Sequence, residues 1–307
     1  MPLGSLSHWQ RQTSAIASGF FGDRLESRRN PLAVSMCLIE SGRELDVDNP
    51  QPENVTETLC VSIHGLMELE TVWRISGSKA GAGFSTYGQR LAAALPGSAT
   101  DLSLRYNTGL PVYRNGQALS VLLKKLISAW PKPVKRLILI GHSMGGLLIR
   151  SACHYGRIDG HRWTRVLSDC VYLGSPHDGS WLARGAHSLA NLMGELPRDY
   201  LQVVGEMIDL RSEGIRNLSR GEVLAEQGEH PPLLPGVNHY VVCGLLARSR
   251  QHPANALFGD ALVQLSSAQG RKRSGWQLAG VATFPGVDHL RLAHHPSVAE
   301  QLEAWLV

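Results

Sequence analysis

The chain has 307 residues, 43% hydrophobic and 18% charged, and its 30 basic against 26 acidic side chains leave a formal net charge of +4. That composition supplies one large core, with room for a lid-like insertion, and excludes a chain disordered throughout. The densest basic cluster, Arg271-Lys272-Arg273, stands in a Gly/Ser setting and reads as a solvated loop, which argues against nucleic acid as a partner.

Residues 1–34 read as helical and irregular up to Asn30-Pro31. Short strands near 35–40 and 44–48 suit a hairpin across Ser41-Gly42, and Asn49-Pro50-Gln51-Pro52 then breaks the chain. From residue 57 a βαβα rhythm sets in. The pattern predicts a strand at 59–63, a helix at 84–95, a strand at 102–106 and a helix at 118–130 stopped by Pro131 and Pro133. A strand at 134–140, a helix at 145–155 and a strand at 170–173 follow. The rhythm pauses over 178–235, where Leu189, Leu192, Met193 and Leu196, then Tyr200, Val203, Val204, Met207 and Ile208, have the spacing of amphipathic helices. Strands resume at 240–245 and 280–284. A last helix at 296–306 starts on Pro296, where a missing N–H costs nothing. Nearly continuous apolar strands alternating with helices imply an α/β fold: a mostly parallel sheet covered on both faces. The expected organisation is a segment at 1–56 packed on a catalytic domain at 57–307, with a helical insertion at 178–235.

The five cysteines, Cys37, Cys60, Cys153, Cys170 and Cys243, are scattered and form no CxxC pair. They read as buried thiols of a reducing compartment. The N-terminus shows no signal-peptide run, and no stretch approaches the ~18 apolar residues of a membrane span. A cytoplasmic protein is the expectation, with peripheral contact to a membrane surface left open.

The chemistry concentrates in Leu137-Ile-Leu-Ile-Gly-His-Ser-Met-Gly-Gly146. A serine hydroxyl is a poor nucleophile until a base takes its proton, and a strand-to-helix elbow pushes it out of the backbone. The bend crowds the positions two before and two after the serine. Gly141 and Gly145 fill them around Ser143. The alternative is a glycine turn with a capping serine. The N–H of Met144 is one candidate oxyanion donor. Leu66, after the strand end at His64-Gly65, is the second. His64 precedes the serine and reads as a packed or orienting histidine. In the order Ser, Asp or Glu, His, the base falls on His289, in the loop after the last strand; His294 and His295 read as surface or capping groups. The acid falls on Asp260, 29 residues before His289, at the end of the penultimate strand, with Asp178 and Asp209 as alternatives. His177 and Asp178 read as a plain loop opening the insertion, and no cluster has metal-ligand spacing, so neither metal nor cofactor is expected.

The segments IHGLM, LRYNTG, LIGHSMGGLLIRSACHYG, LGSPHDGS, GDALVQLSSA and DHLRLAHHPSVAEQLEAWL resemble, in order, an α/β-hydrolase of the lipase/esterase type. The resemblance is to the PGAP1-like (GPI inositol-deacylase-like) and bacterial triacylglycerol-lipase branches, over roughly 57–307. It implies Ser143 as nucleophile, Asp260 as acid, His289 as base, Leu66 and Met144 as oxyanion hole, and a small-molecule or lipid ester as substrate. Lipase relatives commonly carry glycine after the acid; Ala261 stands there in this chain. An acyltransferase or thioesterase with the same triad, and a catalytically silent binding scaffold, are the other readings.

Overall fold

The computed structural model describes residues 34–75, 86–179, 213–226, 228–249, 260, 263–270 and 275–307. All but the last residue of the segment read as helical and irregular at 1–34, the two amphipathic runs at 189–196 and 200–208, Asp209 and the basic cluster at 271–273 fall outside these residues.

Eight strands make up the described sheet: β1 (Cys37–Glu40), β2 (Arg43–Leu45), β3 (Thr58–Ile63), β4 (Thr100–Arg105), β5 (Arg136–His142), β6 (Leu167–Leu173), β7 (Asn238–Leu245) and β8 (Gly280–Pro285). The helices are α1 (Tyr87–Ala94), α2 (Val112–Ala129), α3 (Met144–Ile158), α4 (Glu213–Arg220), α5 (Leu265–Ala268) and α6 (Pro296–Leu306). The strand order is β2-β1-β4-β3-β5-β6-β7-β8. β1 runs antiparallel to β2 and β4, and every other pair is parallel. The hairpin turns at Ser41 (φ 48°) and Gly42 (φ 81°), two successive left-handed residues that match the twist of its strands. It extends the sheet beyond β4.

Strand alternation sorts the core into two layers. Leu137 and Leu139 of β5 belong to one buried cluster with Leu119, Leu123 and Leu147 of α2 and α3, while Ile138 and Ile140 belong to a second with Leu91 and Leu302 of α1 and α6. β3 and β6 divide in the same way, Val61 and Tyr172 to the first layer, Cys60 and Val171 to the second. A strand buried on both faces can only be apolar throughout, which is why these strands read as unbroken hydrophobic runs. All five cysteines are buried free thiols. No helix among the described residues is long and apolar enough to cross a membrane.

Two helices start elsewhere than the periodicity predicts. α2 begins at Val112, six residues before the predicted start, and takes in Asn115-Gly116. A Cβ on Gly116 would stand 2.0 Å from Ser151 Oγ, so the glycine lets α2 and α3 approach. The buried Asn115 amide donates to the Asn107 carbonyl at 2.8 Å. α1 begins at Tyr87, where Thr86 and Gln89 form a reciprocal capping box.

Asp101 of β4 lies under that cap. Its Oδ2 accepts the Thr86 hydroxyl at 2.7 Å, and burial pushes its pKa from 3.8 up to about 6. The folded chain therefore holds a proton that the unfolded chain releases as pH rises between these values, so stability falls through that window. Asp101→Asn removes the effect. The variant is expected to be more stable than the wild type at pH 7.5 by roughly 1–3 kcal/mol, with the gap closing towards pH 4. Urea unfolding at both pH values checks this; an equal gap at both would contradict it.

β4 flanks β3 on one side and β5 on the other, so strand order reverses at β3. The crevice beyond the carboxyl ends of β3 and β5 is where such sheets hold ligands.

Candidate active site

Ser143 stands between β5 and α3 with φ 52° and ψ −119°, a backbone conformation that costs a non-glycine residue of order 1–3 kcal/mol. The surroundings that hold it are specific. The Ser143 N–H donates to the Leu173 carbonyl of β6 at 2.8 Å. A Cβ on Gly141 would lie 2.6 Å from the Gly145 carbonyl carbon and the Gly146 nitrogen. A Cβ on Gly145 would lie 2.2 Å from the Ile63 carbonyl oxygen of β3. Both glycines are thus excluded-volume requirements of the bend, as the spacing predicts. Gly145→Ala pushes against backbone that cannot rotate away. It is expected to cost about 1–3 kcal/mol or to prevent folding, measurable as a lowered unfolding midpoint.

His289 follows β8 and sits on Asp260 twice. Its Nδ1 lies 2.9 Å from Asp260 Oδ2, and its backbone N–H donates to the Asp260 carbonyl at 2.9 Å. The other carboxylate oxygen, Oδ1, accepts the Val263 N–H at 2.9 Å. Both side chains are buried, 3% and 2% exposed. The sequence places Asp260 at the end of the penultimate strand, but β7 ends at Leu245 and the chain returns to that end only later. Gly244 then receives it: a Cβ there would meet Asp260 Cβ at 2.9 Å. Gly174, past β6 with φ 58°, lies under the pair, and its Cβ would stand 3.0 Å from Asp260 Oδ2 and 3.1 Å from His289 Nδ1.

The loop after β3 faces the elbow, and a Cβ on Gly65 would meet Ser143 Cβ at 2.9 Å. In this loop Gly65 N–H donates to Glu68 Oε2 at 2.6 Å, Met67 N–H to Thr108 Oγ1 at 3.3 Å and Glu68 N–H to the Gly65 carbonyl at 3.4 Å. The Leu66 amide lies among them. Met144 is the first residue of α3, a position whose amide has no acceptor within its helix.

His64 and His295 sit as the sequence reading has them, whereas His294, read as a surface or capping group, is partly buried. His64 is packed: it stacks on Tyr106 at 4.6 Å, its Nδ1 lies 2.9 Å from the Gly65 carbonyl oxygen, and burial lowers its pKa. His295 caps α6, its Nδ1 accepting the Ser297 N–H. His177 is buried between Tyr172 and Trp276. The Asp178 N–H donates to Ser267 Oγ of α5, while the carboxylate at His289 Nδ1 is that of Asp260.

Sequence reasoning missed Glu68 and His142. His142 Nδ1 lies 2.9 Å from Glu68 Oε2, and the two are 74 residues apart. Burial disfavours both charges. The Glu68 carboxylate nonetheless raises the His142 pKa above its usual value, and His142 lowers that of Glu68. No short-range spacing rule joins such residues.

A family model described as a PGAP1-like alpha/beta domain matches residues 112–206, from α2 through the elbow and past β6. No curated protein matches the chain. Among solved structures, the mature Bacillus licheniformis lipase BlEst2 is similar with a TM-score of 0.54 at 16% identity, over 89% of this chain and 98% of that one. A metagenomic carboxyl esterase, MGS0156, has a TM-score of 0.47 at 15% identity, over 83% of this chain and 79% of that one. An alpha/beta hydrolase fold protein from Chitinophaga pinensis has 0.48 at 11% identity, over 89% and 97%. Likeness at such identities speaks to the fold, and the lipase comparison carries it.

Proposed function

We propose that the chain, which has the α/β-hydrolase fold and matches a PGAP1-like alpha/beta domain over residues 112–206, is a serine carboxylic-ester hydrolase acting on acyl esters or lipids through an acyl-enzyme. The observation that carries the reading is the doubly anchored His289–Asp260 pair on the same sheet ends as the strained Ser143 elbow. In this mechanism Asp260 accepts the Nδ1 hydrogen of His289 and leaves Nε2 as the base. Ser143 Oγ attacks the ester carbonyl as its proton passes to His289 Nε2. The oxyanion is held by the Leu66 and Met144 amides, each such donor being worth about 3 kcal/mol in the transition state. The alcohol leaves with the proton from His289, and water, deprotonated in turn by His289, releases the acid. The fold alone does not select the substrate, since one fold hosts many chemistries.

A fluorophosphonate probe tests the reading. The folded protein is expected to be labelled on the peptide that carries Ser143, and to turn over p-nitrophenyl esters somewhere between acetate and palmitate. Folded protein that takes no label would favour the silent-scaffold reading. Product analysis with competing alcohols or thiols separates hydrolysis from acyl transfer.

A further inference from the structure

Two side chains packed into the site have no part in the steps above. Glu68 leaves the loop after β3 and is 12% exposed, and the His142 ring next to Ser143 is fully buried. A single carboxylate oxygen, Glu68 Oε2, accepts the Gly65 N–H at 2.6 Å and lies 2.9 Å from His142 Nδ1. The other ring nitrogen, His142 Nε2, lies 2.9 Å from the carbonyl oxygen of His289. A carbonyl oxygen only accepts, so Nε2 carries a hydrogen. The second proton lies between Nδ1 and the carboxylate. The Trp73 indole closes the edge of the ring at 6.4 Å between centroids, and the His289 ring stands 4.9 Å away.

We propose that Glu68 and His142 are positioning residues for the ester hydrolysis inferred above: one buried ion pair that sets, at the same time, the loop bearing the Leu66 amide and the backbone of the base His289. The proposal rests on the serine-hydrolase reading of the site. With it, both peptide groups of His289 are tied, the N–H to Asp260 and the C=O to His142. The oxyanion loop is tied to the same array through the Gly65 N–H. A shift of about 1 Å between base, nucleophile and oxyanion donors can cost on the order of 10²-fold in rate.

The array needs the charged pair. A neutral imidazole has one N–H, which the His289 carbonyl requires, so Nδ1 would present a lone pair. The Glu68→Gln amide cannot serve both neighbours at this atom. Its oxygen would accept the Gly65 N–H but face the Nδ1 lone pair; its nitrogen would donate to Nδ1 but abandon the Gly65 N–H.

The test compares wild type, Ser143→Ala, Glu68→Gln and Glu68→Asp by ester kinetics and thermal unfolding, with ¹⁵N histidine spectra of the wild type and Glu68→Gln at pH 7.5. Glu68→Gln is expected to lower kcat about 10- to 100-fold with KM changed by less than about 2-fold. Glu68→Asp, which keeps the charge, should recover part of kcat. The wild-type spectrum should contain an imidazole with both nitrogens protonated that Glu68→Gln loses. A Glu68→Gln kcat equal to wild type, a rise in KM alone, or a wild-type spectrum without that imidazolium would overturn the proposal. The spectrum still decides if Glu68→Gln fails to fold. The parent reading fails separately: wild-type protein would then neither hydrolyse esters nor take the fluorophosphonate label.

Discussion

Ser143→Ala is expected to lower kcat for p-nitrophenyl ester hydrolysis by about 10⁴- to 10⁶-fold while the protein stays folded. The size of the effect follows from the covalent step. Without Oγ no acyl-enzyme forms, and only the oxyanion donors and the binding surface remain to assist water. Stability should move the other way, or little, because alanine removes a hydroxyl from a site 8% exposed and keeps the Cβ that the φ of 52° already accommodates. Ester kinetics alongside a melting curve separate the two. Residual activity within about tenfold of wild type, in a folded variant, would remove Ser143 from the mechanism.

Asp260→Asn is expected to cost about 10⁴-fold in kcat, and Asp178→Asn to leave kcat nearly unchanged. Asp260 Oδ1 accepts the Val263 N–H, which holds the amide oxygen of the asparagine at that position. The amide nitrogen must then take the place of Oδ2 and donate to His289 Nδ1. The imidazole is left with its hydrogen on Nε2, where it should receive the Ser143 proton, so the base is blocked by its own tautomer. Asp178 has its backbone amide on Ser267 Oγ of α5, and the carboxylate oxygen at His289 Nδ1 belongs to Asp260. A large loss in Asp178→Asn with Asp260→Asn near wild type would reverse the assignment. The two single variants, assayed at saturating substrate, decide it.

These expectations differ in how far the residues announced them. The elbow was legible because its requirements are local. Gly141 and Gly145 lie within two residues of Ser143, and the clashes they avoid involve the strand and helix written directly around them. His289 was singled out by chain order. Its setting was not. The second tie to Asp260, through the backbone, depends on a carbonyl that the chain brings back only after leaving β7 at Leu245. The strand-end position predicted for Asp260 is reached in space and not in sequence, through Gly244.

Helix starts show the same division. The Thr86–Gln89 capping box was present in the letters and marks the start of α1, whereas the apolar period had suggested residue 84. For α2 the apolar period had suggested residue 118, past Asn115-Gly116, whereas the helix starts at Val112. Gly116 lies in that first part of the helix against Ser151 of α3, and a glycine between packed helices contributes close approach that propensity does not count.

By itself the sequence determined the parallel αβ layering, the elbow at Ser143 and the chain order Ser143, Asp260, His289 from which the proposed roles follow. Each is written in short-range periodicity, in steric needs a few residues apart, or in chain order. The contact of Asp260 with His289, the seating of His289 and the Glu68–His142 pair came only with the folded chain. They join residues 29 to 147 positions apart whose meeting is set by how strands order in the sheet. A buried polar group finds its partner wherever packing brings one, and no local pattern records that distance.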